Sequence, residues 1–214
     1  MIELLVAVTV FGVISLAFYS MLFSATRSTE ETKSVAGVSG EARLGFGRMI
    51  RDTREGRRIT QAEVLTSPTG TSSFTVEIDF DASGTIEPYP SLNSQGDYEE
   101  LEFTFDGTRK VVWLADPSEI LMRDVECIDD GGGCRPVFDF SSSRLEYDWN
   151  SDGLATWQEL DEAPAHGVIG VGNNNDALDD GELPFISNVA FQLKIVEADS
   201  NNEFYAEAQL RNVR

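Results

Sequence analysis

Histidine and cysteine are nearly missing: the 214 residues hold one His and two Cys. A structural zinc site takes four such ligands, so zinc is not expected. Positive charge is also scarce, with 16 Lys/Arg against 37 Asp/Glu and a net charge of −21. Residues 1–60 hold eight basic and six acidic residues. The rest of the chain, with eight basic and 31 acidic residues, carries −23. A surface of that sign argues against nucleic-acid partners, whose phosphates need the opposite charge. It suits a soluble, self-repelling exterior. Saline adaptation and a specific acidic binding face explain it equally well. No G-x-S-x-G, P-loop or H-E-x-x-H string occurs. His166 stands alone in A-P-A-H-G, a loop context. No enzyme activity is expected.

The chain does have a long apolar run at its start. Residues 1–25, M-I-E-L-L-V-A-V-T-V-F-G-V-I-S-L-A-F-Y-S-M-L-F-S-A, are long enough for one helix to cross a bilayer core of about 30 Å. Glu3 breaks the run. Burying a carboxylate there costs on the order of 2–3 kcal/mol, so either the acid has a role or the run is a signal anchor whose acid sits just outside the lipid, and the acid alone supports both equally. From residue 26 to 58 there is no proline, and Val35, Val38, Ala42, Phe46, Met49 and Ile50 recur at helical spacing. A helix over residues 1–54 would be about 80 Å long at 1.5 Å per residue. Gly37, Gly40, Gly45 and Gly47 mark either a weak segment or close packing against a sheet or another helix. Arg43, Arg48, Arg51, Arg54, Arg57 and Arg58 cluster at its end. Cations are favoured at a helix C-terminus, and contact with an acidic face of another subunit is the alternative.

Beyond residue 73 the period is two. Segments 74–80, 101–105, 110–114, 119–125, 137–140, 144–147, 187–197 and 204–211 read as strands. Residues 85–96 read as a loop, and Asp106-Gly107 as a turn. The expected fold class is therefore α+β. It joins a long N-terminal helix, hydrophobic and then amphipathic, to an antiparallel β-sheet domain on which it packs. The boundary falls at 58/59. Cys127 and Cys134, in C-I-D-D-G-G-G-C, read as a small disulfide-closed loop in an oxidising compartment.

Residues 148–159, D-W-N-S-D-G-L-A-T-W-Q-E, fill every position of a twelve-residue calcium loop. Asp148, Asn150 and Asp152 stand at positions 1, 3 and 5, and Gly153 at position 6. The Leu154 carbonyl takes position 7, Thr156 position 9 and Glu159 position 12. The expected cofactor is calcium, held in an isolated loop without a flanking helix pair. A second acidic stretch follows at N-N-N-D-A-L-D-D-G-E. Asn173, Asn175, Asp179 and Glu182 fit positions 3, 5, 9 and 12, but Val171 and Asp176 fail positions 1 and 6. A degenerate second metal loop, a loan of oxygens to the first and a solvated acidic loop all remain open.

The segment I-E-L-L-V-A-V resembles the N-terminus of type IV pilins and type II secretion pseudopilins. G-E-A-R-L-G-F-G-R-M-I-R-D-T-R and the closing L-R-N resemble minor subunits of the PilW and J types. The resemblance implies a structural subunit of a type IV pilus-like or type II secretion filament. It implies that Glu3 pairs with the N-terminal amine of a neighbouring pilin subunit in the apolar core. It also implies a precursor processed by prepilin peptidase, with Met1 an internal methionine at the third position of the mature chain. The expected location is the inner membrane before assembly, then a periplasmic or cell-surface filament. The alternative is a membrane-anchored, calcium-dependent adhesion module that acts outside any filament.

Overall fold

The computed structural model describes residues 40–211 except 66, 89, 116, 117, 130, 132, 198 and 199. The apolar run 1–25, Glu3 and most of the expected long helix lie outside the described residues. Among the described residues no helix is long and apolar enough to cross a membrane.

The expected α+β class is corrected by what the described chain does. Helix α1 covers only 40–55, and one further α-helix, α2, spans the five residues Trp157–Asp161. Nearly everything else regular is strand. Strands β1 (Arg58–Glu63), β2 (Thr71–Glu77), β3 (Glu100–Asp106), β4 (Val111–Leu114) and β5 (Glu119–Arg123) form one antiparallel sheet in sequence order. Strands β6 (Val125–Glu126), β7 (Phe138–Ser142), β8 (Ala155–Thr156), β9 (Asn188–Glu197) and β10 (Ser200–Gln209) form the second. There the order is β10-β9-β7-β8, with β6 also paired to β9.

The physical reason is where the aromatic side chains meet. Alternation puts Phe74 of β2 and Phe103 of β3 on one inner face, fully buried, with ring centroids 5.2 Å apart. Phe138, Phe140 and Phe191 line the inner face of the other sheet. Phe74 meets Phe138 at 5.0 Å and both Phe140 and Phe191 at 6.0 Å. The core is thus sheet against sheet, with edge-to-face rings favoured by their quadrupoles. Helix α1 lies against both sheets. Phe46 meets Phe191 of β9 and Phe204 of β10, and Gly45 presses on Leu121 and Met122 of β5.

Two expected elements change form. Segment 144–147 is a single 3₁₀ turn, Leu145–Tyr147, not a strand. The strand expected at 119–125 breaks at Asp124, which has φ +56°. There the chain leaves the first sheet and enters the second, so β5 and β6 belong to different sheets. Strand β1 follows α1 almost directly, where a helix end was expected.

The arginines of 43–58 mostly tie the domain to itself. Arg48 pairs with Asp52 and Glu119, and Arg51 with Asp52. Arg57 pairs with Asp79. Arg58 grips both oxygens of Glu77 at 2.6 and 2.8 Å. Arg54 donates to the Glu207 carbonyl. Cys127 and Cys134 form a disulfide with Cα atoms 5.6 Å apart.

Candidate metal centre

The loop after the 3₁₀ turn is held by its own side chains. The amides of Asp152 and Gly153 donate to the two Asp148 carboxylate oxygens at 3.1 and 2.9 Å. The Asp152 amide also reaches Asn150 Oδ1 at 2.8 Å. The Leu154 amide donates to Asp152 Oδ1 at 2.9 Å. Gly153 turns the chain at φ +93°, with open space where a Cβ would lie. Glycine stands there for backbone conformation and not for room. Thr156 then caps α2 in a reciprocal box with Glu159.

That cap aims Glu159 back into the loop. Its Oε1 accepts the Asn150 amide at 3.1 Å and its Oε2 the Thr156 amide at 3.0 Å. Trp149 Nε1 donates to the Glu159 carbonyl at 2.8 Å and fixes the start of α2 against the loop. The indole of Trp149 stacks on His166 with ring centroids 4.3 Å apart. That contact places the single histidine on the outer wall of the loop, exposed.

The donor set suits a hard cation. Asp148, Asp152 and Glu159 supply carboxylates, Asn150 an amide oxygen, Leu154 a carbonyl and Thr156 a hydroxyl or water position. Amides of the same loop occupy much of that oxygen capacity, and the three carboxylates do not all come within 4.8 Å of one another.

The second acidic stretch is built differently. Asp161, buried at the end of α2, accepts the amides of Asn173, Asn175 and Asp176. The side-chain amides of Asn173 and Asn175 both donate to Asp179 Oδ2, at 2.5 and 3.1 Å. The Asp179 amide donates to Glu182 Oε2 at 2.8 Å. Asn173, Asn175, Asp179 and Glu182 therefore do converge, with Asp161 as an organiser that sequence reading missed. Yet two of the four present N–H donors to the carboxylates.

Glu182 is wholly buried, and its Oε1 meets no donor. Burial, with the neighbouring Asp179 carboxylate, raises its pKa from 4.5 to about 7. Between those pH values the unfolded chain gives up this proton while the folded chain keeps it. Stability from Glu182 is thus complete below about pH 4.5 and is lost as pH rises to about 7. Glu182→Gln is expected to flatten that part of the stability profile in chelator-containing buffer and to exceed wild type above pH 7. Denaturant unfolding at stepped pH checks it, and an unchanged slope counts against it.

No family model matches the chain, and neither a characterised protein nor a solved structure matches it.

One cluster has no counterpart among the sequence expectations. Among the described residues, the one group of three carboxylates whose oxygens all lie within 4.8 Å is Asp79, Asp81 and Glu99. These residues sit at the two ends of the β2–β3 connection. Only the D-F-D string at 79–81 marks the place in sequence.

Proposed function

We propose that this chain is a structural subunit, a minor pilin or pseudopilin, of a type IV pilus-like or type II secretion filament. Its acidic β head is displayed outside the cell and is stabilised by calcium. The observation that carries the reading is Glu3 within the apolar run I-E-L-L-V-A-V of residues 1–25. An acid in such a run needs a countercharge, and a neighbouring subunit's amine supplies one. The inner membrane holds the run before assembly, and other pilin-like subunits hold it afterwards.

Two features of the head support this use. Helix α1 leads into the domain and is fastened by Arg48–Glu119 and by the Phe46 contacts, so a pull on its N-terminal end is passed to both sheets. The loop 148–159 has the ligand types and the turn that calcium binding uses. The test is fractionation of native cells. The protein is expected in sheared surface or periplasmic filaments together with other pilin-like chains. Its confinement to the membrane under all conditions that produce filaments contradicts the reading.

A further inference from the structure

We propose that the β2–β3 connection is a second cation site, in which calcium is held by Asp79, Asp81 and Glu99 with Glu87 beside them. The site is independent of the 148–159 loop and of the filament reading.

Among its described residues, the connection 78–99 contains no helix or strand. It exceeds the ~12–15 residues beyond which an unstructured loop in a compact domain is uncommon and usually functional. Its ends are drawn together by carboxylates. Glu99, wholly buried, accepts the Phe80 amide (3.1 Å), the Asn93 side-chain amide (2.9 Å) and the Glu87 amide (3.1 Å). Asp81 accepts the Ser83 amide at 2.9 Å and the Ser94 hydroxyl at 2.7 Å. Asp79 takes Arg57 and the Gly84 amide on Oδ2 alone.

Two oxygens are left over. Asp79 Oδ1 is buried without a donor, on a side chain only 6% exposed. Glu87 Oε2 is also buried without a donor. Three carboxylates thus cluster with Glu87 beside Glu99, and Arg57 answers one of them. Buried, undonated carboxylate oxygens are costly, and a positive charge among them removes the cost.

The chemistry selects the ion. The ligands are all oxygen, with no histidine or free thiol nearby, which disfavours zinc. Calcium binds oxygens at 2.3–2.6 Å, so ligands in one shell lie up to about 4.6–5.2 Å apart. The oxygens of the three carboxylates lie within 4.8 Å of one another, close enough to share one such shell. The rival occupant is a proton between Glu87 and Glu99. The Glu99 carboxylate beside it, together with desolvation, pushes the Glu87 pKa above its ordinary value.

Calorimetric titration of the full chain in detergent with calcium chloride alone tests the site. Asp81 is half-exposed, and asparagine keeps an acceptor oxygen for the Ser83 amide while the Ser94 hydroxyl can turn to accept from its Nδ2, so Asp81→Asn is the variant of choice. It is expected to lose one bound calcium or to bind it about tenfold or more weakly, because affinity follows ligand charge. Asp148→Ala is expected to leave that calcium in place. A wild-type titration unchanged by Asp81→Asn overturns the proposal. So does an Asp148→Ala chain that binds no calcium, which would leave the shared proton as sole occupant. Calcium binding that is lost in Asp81→Asn but not in Asp148→Ala supports this site even if the 148–159 loop binds nothing.

Discussion

Gly45→Val is expected to destabilise the head by about 3 kcal/mol or more, at the upper end of what overpacking costs. A Cβ at Gly45 would stand 2.3 Å from the Leu121 carbonyl oxygen and 2.8 Å from Met122 Cγ. The first of these is backbone in the middle of β5 and cannot turn aside. Helix α1 would have to lift, and Phe46, one residue on, would leave Phe191 and Phe204. Gly47 is the control, since it lies on the same helix with nothing within 4 Å of the added atom. Gly47→Ala should gain roughly 0.5–1 kcal/mol from helix propensity alone. For a domain of 150–250 residues, 1 kcal/mol moves Tm by about 2–4 °C. The two substitutions should therefore move Tm in opposite directions, by about −6 to −12 °C and about +1 to +4 °C. Thermal unfolding of both variants measures this, and equal small effects would remove the close contact of α1 with β5 from the account.

Chelation of calcium is expected to lower the Tm of the full chain, and Asp148→Ala to forfeit the part due to the 148–159 loop. An ion at about one hundred times its Kd adds about 2.7 kcal/mol to the folded state. That corresponds to about 5–10 °C here. The expected effect is large because the loop also ties neighbouring elements together. It joins β7 to α2 through Trp149 and Glu159, so ordering it orders the edge strand β8 as well. Asp148→Ala should remove two amide acceptors as well as a ligand. The decisive quantity is therefore the calcium-dependent shift within each variant and not its absolute Tm. The same shift in Asp148→Ala as in wild type would discard the loop as a site.

Sequence reading reached the parts of this molecule that repeat at short range. F-T-V-E-I-D-F and L-E-F-T-F alternate cleanly because β2 and β3 each have one face against the aromatic core. The 148–159 loop stood out as a candidate because all its possible donors come from twelve consecutive residues. Strand β1 was not, because among R-I-T-Q-A-E only Ile59 is buried and no alternation shows. Residues 144–147 misled because a lone buried Tyr147 in a short turn imitates a strand end. The division into two sheets depends on the left-handed backbone of Asp124, and nothing in M-R-D-V-E announces that. The Gly45 alternatives could be resolved only once β5 was seen beneath the helix. The carboxylates at 79–99 escaped notice because the β2–β3 connection brings them together without any fixed spacing.

The central claim is that Glu3 works between chains. The direct measurement is the amount of Glu3→Ala protein in the membrane and in sheared filaments of the native cell, each compared with wild type. Breaking a buried charge pair costs about 3–5 kcal/mol, well over the 1.4 kcal/mol that makes a tenfold change. The account predicts a normal membrane amount and at least a tenfold loss from filaments. Incorporation of Glu3→Ala at the wild-type level contradicts it.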